Sequence, residues 1–277
     1  MNAATNAVTE MANLKTKLKA TWMAGDFAQI ARSYEAGAAD FVARLNLAKG
    51  ARTLDVACGS GNLAIPAARA GAVVTGADIV ANLLTQGRER AEAEGLAIQF
   101  DEADAEQLPY ADASFDAVIS MFGVMFAPRP EKVAEELTRV CRSGGRIALA
   151  NWVSTGFVGQ MFKTTGAYVP PSPLMPSPML WGDEATVLGR LNDQVTDVRF
   201  TRQTVMFTFP FAPAEVVEFW RTYYGPTNRA FEALQADPEK QSALRRDLET
   251  LWAEHNRAMD GTTRVIAEYL EVTAIRI

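Results

Sequence analysis

Thr53-Leu54-Asp55-Val56-Ala57-Cys58-Gly59-Ser60-Gly61-Asn62-Leu63 is the stretch that decides the fold. Leu54 to Ala57 is an apolar run carrying one acid, Asp55. Gly59 and Gly61 follow, and an alanine-rich segment comes next. Strand, glycine turn and helix in that order open a nucleotide-binding βα unit. Gly59 gives the turn a backbone conformation closed to residues with a Cβ, and Gly61 is read as letting the main chain approach a ligand. The helix N-terminus beyond them offers unpaired N–H groups and a partial positive charge.

Working outward, the pattern repeats. Strands are predicted over 53–57, 72–77, 97–100, 115–121 and 146–152, with helices over 62–70, 82–94 and 131–141. Gly71 and Gly95 end the first two helices, and Gly144-Gly145 is expected to end the third. Five strands alternating with helices at short spacing imply a parallel sheet with right-handed crossovers. Before this unit, residues 1 to 48 read as two or three amphipathic helices, a flap over a ligand or a decoration of the sheet edge. After it, residues 153–181 hold five prolines between Pro170 and Pro178 and are expected to lack regular structure. A short helix over 183–191, strands over 195–200 and 205–209, helices over 213–224, 230–234 and 241–259, and a last strand over 263–277 complete the reading.

The whole chain has 277 residues, 48% of them hydrophobic, enough for a sizeable core. A net charge of −6 argues against a nucleic-acid partner, whose phosphates favour a basic surface. Cys58 and Cys141 are far apart and flank apolar runs, as buried free thiols do. The N-terminus, with Lys15, Lys17 and Lys19, lacks the apolar core of a signal peptide, and no run approaches the roughly 20 residues that span a bilayer. A cytoplasmic protein without membrane insertion is expected. Two distant cysteines and the single His255 offer no metal spacing. His255 lies between charged residues and is read as a surface group.

Further motifs sit in this frame: Asp78 closing the second strand, Asp104-Ala-Glu-Gln-Leu-Pro109 after the third, Ser114-Phe-Asp-Ala-Val-Ile-Ser120 through the fourth, and Arg139-Val-Cys-Arg-Ser-Gly-Gly145 before the fifth. Taken in order they resemble class I S-adenosylmethionine-dependent methyltransferases, closest to the small-molecule group that includes ubiquinone and menaquinone biosynthesis enzymes. The resemblance is strong over about residues 50 to 152. It implies an α/β, Rossmann-like fold: a mostly parallel seven-stranded sheet with helices on both faces, N-terminal helices and a C-terminal helical cap insert. It divides the chain into a flap (1–48), an S-adenosylmethionine-binding core (49–152) and a sheet end with an inserted substrate cap (153–277).

By the same resemblance, Gly59, Ser60 and Gly61 with Ala57 form the loop against the amino-acid end of the cofactor, and Asp55 orients it. Asp78 accepts hydrogen bonds from both ribose hydroxyls. Ile79 covers adenine, while Asp104, Ala105 and Glu106 read its edge. Ser120 and Met121 face the methionine portion. Val80-Ala81 and Arg142-Ser143 depart from the group's usual Ser-Pro and Lys-Pro. The residues alone allow blander roles: Asp55 capping a turn, Asp104 an N-cap, Met121 to Phe126 plain core. The cap is rich in Trp, Phe, Met, Tyr and Pro and suits a small hydrophobic or aromatic acceptor, with Tyr34, Tyr223 and Tyr224 as candidate contacts, although the same segments could form a homodimer interface. Two rival readings are an NAD(P)-dependent dehydrogenase, since Gly59-x-Gly61-x-x-Ala64 with Asp78 fits that fingerprint, and a non-catalytic cofactor-binding scaffold.

Overall fold

The computed structural model describes residues 3–277. Three helices lead: α1 (Ala3–Met23), α2 (Phe27–Arg32) and α3 (Glu35–Leu45). The alternating core follows: β1 (Arg52–Val56), α4 (Ala64–Arg69), β2 (Val73–Asp78), α5 (Ala81–Ala93), β3 (Ile98–Glu102), β4 (Phe115–Met121), α6 (Pro130–Val140) and β5 (Cys141–Trp152). The remainder comprises α7 (Phe157–Tyr168), α8 (Glu184–Leu191), β6 (Val195–Phe209), α9 (Pro213–Tyr223), α10 (Gly225–Ala233), α11 (Pro238–His255) and β7 (Thr263–Arg276).

All seven strands form one sheet, in the order β3-β2-β1-β4-β5-β7-β6. β1 to β5 pair in parallel, and β7 runs antiparallel to both β5 and β6. The order reverses beside β1, between β2 and β4. Ligands of open α/β sheets bind at such a switch point, beyond the carboxyl ends of the strands.

β1, β4 and β5 read as apolar runs because both faces are covered: Leu54, Val56, Val118, Ile119, Ala148 and Leu149 are fully enclosed. Phe100 of β3 occupies space left by three glycines. A Cβ at Gly87 would come 2.8 Å from the ring, at Gly76 3.0 Å and at Gly61 3.2 Å. The missing Cβ of Gly61 therefore serves this ring rather than a ligand's approach, which corrects the expectation.

Other expectations are corrected too. The helix before β5 stops at Val140, and Cys141 already pairs with Phe115; Gly144-Gly145 lies within β5, beside a register shift between Phe115 and Ala117. A Cβ at Gly145 would sit 2.7 Å from the Arg142 carbonyl, so the bend there needs glycine. Residues 157–168 are helical despite the prolines nearby, because the prolines begin only at Pro170. The two predicted strands 195–200 and 205–209 are one edge strand of 15 residues, whose polar middle pairs with β7 through Thr201, Arg202, Gln203 and Thr204. Pro226 allows α10 to start at Gly225, because a proline in the first turn forfeits no helical hydrogen bond. α11 ends at His255, whose Nδ1 lies 3.0 Å from the Leu251 carbonyl and whose ring packs on Phe157, so it is half-buried rather than a solvated surface group. Cys58 and Cys141 are buried and free. Among the described residues no helix is long and apolar enough to cross a membrane.

Candidate cofactor and acceptor site

A cavity of about 410 Å³ opens at the carboxyl ends of β1, β2, β3 and β4. Its floor is the turn after β1. Ala57 and Gly59 both hold positive φ, 55° and 54°, and this turns the chain under the cavity. Asp55 is buried at the end of β1, and its Oδ2 accepts the Ala64 N–H at 3.0 Å, the orphan donor that opens α4. Burial raises the Asp55 carboxyl well above its ordinary value; the Ala64 bond opposes this and the nearby Asp78 charge adds to it.

Asp78 is held more tightly still. Its Oδ2 accepts the Gly59 N–H at 2.8 Å and its Oδ1 accepts the Val80 N–H at 2.9 Å. A carboxylate has about four lone-pair sites, so acceptor capacity remains beyond these bonds on a group that lines the cavity. Burial pushes its pKa up to about 6, against the pull of the Gly59, Val80 and Ile79 N–H groups.

The lid is α1. Lys15 contacts Asp104 Oδ2 at 2.5 Å and also bonds Glu106, and Lys19 pairs with Glu102. Trp22, further along α1, packs on Phe27 and Phe126 at ring separations of 5.8 and 4.9 Å. Just beyond α1 the chain is tied to the helices between β6 and β7, where the Asp26 N–H donates to the Tyr223 carbonyl at 3.0 Å.

The predicted site residues divide. Asp55, Ala57, Gly59, Asp78, Ile79, Asp104, Ala105 and Met121 line the cavity. Ser60, Gly61, Glu106 and Ser120 stand behind its wall. Arg90 donates to the Ser60 carbonyl at 2.8 Å. The Glu106 side chain is enclosed and holds both the backbone N–H and the Nε of Arg129 at 2.7 Å. Ser120 Oγ donates to the Val56 carbonyl at 2.7 Å, which clamps β4 to β1. Asp104 Oδ1 accepts the Glu106 N–H at 2.9 Å, so it shapes its own turn while facing the cavity. Sequence reasoning missed Lys15, Lys19 and Glu102 as wall residues. The alternate lysines were visible, but nothing local says that acids about ninety positions away will meet them.

Comparison with known proteins places this geometry. Residues 54–149 match a methyltransferase-domain family model. An uncharacterized protein of Mycobacterium tuberculosis is 40% identical over 255 residues, covering 91% of this chain and 92% of that protein. The methyltransferase GfsG of Streptomyces halstedii is 43% identical over 116 residues, 41% of this chain and 42% of that one. Among solved structures, a putative methyltransferase from Bacillus halodurans superposes with a TM-score of 0.56 at 18% identity, covering 86% of this chain and 97% of that chain. The matched segment is the one that builds the switch-point cavity, and the whole-length relative carries the likeness across the flap and the insert. The chain belongs to the class I S-adenosylmethionine-dependent methyltransferases.

Proposed function

We propose that the protein transfers a methyl group to a small, hydrophobic or aromatic acceptor, with S-adenosylmethionine held in the switch-point cavity. The observation that carries this reading is the Asp78 carboxylate, fixed by backbone N–H groups at the cavity wall with acceptor capacity left over. A two-oxygen acceptor of this kind suits the paired hydroxyls of a ribose. Ile79, Asp104 and Ala105 would receive the adenine, and Asp55, Ala57, Gly59 and Met121 the amino-acid end. Ser60, Gly61, Glu106 and Ser120 would act by holding that wall in place. When bound, the cofactor supplies an electrophilic methyl on a sulfonium.

The rest falls to the chain's own residues. α1, pinned by Lys15 and Lys19, covers the cavity and excludes water, serving as the flap of the 1–48 segment. The insert α9 to α11 backs the aromatic end through Tyr224, whose ring lies 5.7 Å from that of Trp22. Holding a nucleophile in line behind the methyl is worth on the order of 7–11 kcal/mol. Radiolabelled S-adenosylmethionine offered with a panel of neutral aromatic and charged acceptors tests the reading. Label is expected in the neutral aromatic members; label confined to phosphorylated or carboxylate acceptors would contradict it.

The pH dependence has a defined sign. The folded Asp78 pKa, about 6, lies above the ordinary 3.8. Its contribution to stability is therefore present below about pH 4 and is lost as pH rises through 6. Ligand binding runs the opposite way, because hydroxyl donors select the ionised carboxylate. Affinity for S-adenosylhomocysteine is expected to rise up to about tenfold per pH unit below 6 and to level off above about 7. Calorimetry between pH 5 and 8 reads this directly, and a flat profile would contradict the assignment.

A further inference from the structure

The cavity is polarised. Its charged side chains, Asp55, Asp78, Glu102 and Asp104 with Lys15 and Lys19, stand at or just beyond the ends of β1, β2 and β3 or pair with groups there. The lining that follows β4, from Met121 to Pro128, carries no charged side chain. β3 and β4 are three strand spacings apart, about 14 Å. Along α1 the change is the same: Trp22 follows Lys15 by seven residues, about 10 Å of helix. The β4 end is walled by Trp22, Phe122 and Phe126.

One polar side chain belongs to this apolar end. Tyr34, the N-cap residue of α3, lines the cavity and is 5% exposed. Its ring is packed edge-on against Phe122 and Phe207, both at 5.6 Å, and against Trp152 at 6.4 Å. Its hydroxyl has no hydrogen-bond partner among the described residues. On the wall of the cavity the hydroxyl has no competing protein partner, so it is free to hydrogen-bond a ligand atom that enters. Burial raises its pKa far above any working pH, so it stays a donor and takes no proton.

Resting on the reading that the charged end holds the cofactor and the β4 end the acceptor, we infer that Tyr34 is the specificity-determining residue of the acceptor site: the hydroxyl hydrogen-bonds the single polar group of an uncharged aromatic acceptor. The aromatic walls receive the flat apolar body. A net charge on the acceptor has no counter-ion there and would cost desolvation. A site built around one buried hydrogen-bonding group rejects analogues that lack its complement more strongly than it rejects changes of apolar bulk.

The experiment is equilibrium dialysis of the protein at pH 7, loaded with S-adenosylhomocysteine, against 2-naphthol, naphthalene, 2-naphthoate and 2-naphthylmethylamine, for the wild type and Tyr34→Phe. In the wild type 2-naphthol is expected to bind about tenfold tighter than naphthalene and tighter than both charged analogues. In Tyr34→Phe the gap between naphthol and naphthalene closes, while affinity for S-adenosylhomocysteine and the thermal midpoint stay unchanged, since the hydroxyl bonds nothing in the protein. Naphthol binding no better than naphthalene, a gap that survives the substitution, preference for a charged analogue, or no binding of any of the four would overturn the inference. Failure of S-adenosylhomocysteine itself to load the wild type would instead sink the cofactor reading beneath it.

Discussion

Asp78→Ala is expected to weaken S-adenosylhomocysteine binding by about tenfold to a hundredfold, or about 1.5–3 kcal/mol, the usual scale for hydrogen bonds to a charged group. The substitution acts twice. It removes the carboxylate offered to a ribose, and it releases the Gly59 and Val80 N–H groups that fix the floor of the cavity. Asp78→Asn is expected to lose nearly as much. Each carboxylate oxygen accepts a backbone N–H, so the amide NH₂ of asparagine must face one of those donors whichever way it is turned. Calorimetry on both variants, with circular dichroism to confirm folding, reads the effect. An unchanged dissociation constant would remove Asp78 from the site.

The second large effect concerns the fold beneath the site. Phe100→Ala is expected to cost about 3–5 kcal/mol of stability, the range for emptying an aromatic side chain from a core. The site cannot collapse easily, because the ring is received by Gly61, Gly76 and Gly87, none of which has a side chain to move into the void. The Phe100 carbonyl also accepts Arg88 Nη2 at 2.6 Å, which fixes the strand while the ring is removed. Urea denaturation should show the midpoint falling with an unchanged slope. A loss below about 1 kcal/mol would mean that the glycine cradle closes up, contrary to this account.

Those three glycines show what can be read locally. Gly59 and Gly61 mark a turn in any reading, and Gly59 does face the cavity. Gly61 looked the same in sequence, yet its partner is a side chain from β3, thirty-nine positions later, which no spacing rule reports. The strands that were legible are those buried on both faces: β4 is apolar apart from Asp116 and Ser120 and is found over the expected span, Phe115–Met121. β6 split in prediction because it is an edge strand. Its solvent-facing residues interrupt the apolar pattern, while pairing with β7 keeps the backbone extended. α7 was missed because proline content was weighed over too wide a window.

The site shows the same division. Acids at strand ends could be picked out because parallel strands present their carboxyl ends together, and Asp55, Asp78 and Asp104 do share one cavity. Ser120 and Glu106 were equally visible, but their hydrogen bonds turn them into the wall: Ser120 to Val56, Glu106 to Arg129 and Lys15. The ion pairs of α1 were out of reach, since Lys15 and Lys19 meet acids about ninety and eighty positions away. Tyr34 was legible both as an aromatic at helical spacing and as a candidate acceptor contact; its place on the cavity wall, edge-on to Phe122 and Phe207, comes only from packing.

Calorimetric titration of the purified protein with S-adenosylhomocysteine and, in parallel, with NADH asks whether the switch-point cavity is a site for S-adenosylmethionine. One-to-one binding of S-adenosylhomocysteine with no heat from NADH is expected. Saturable binding of NADH with S-adenosylhomocysteine silent would contradict it and return Gly59, Gly61 and Asp78 to a dinucleotide fingerprint.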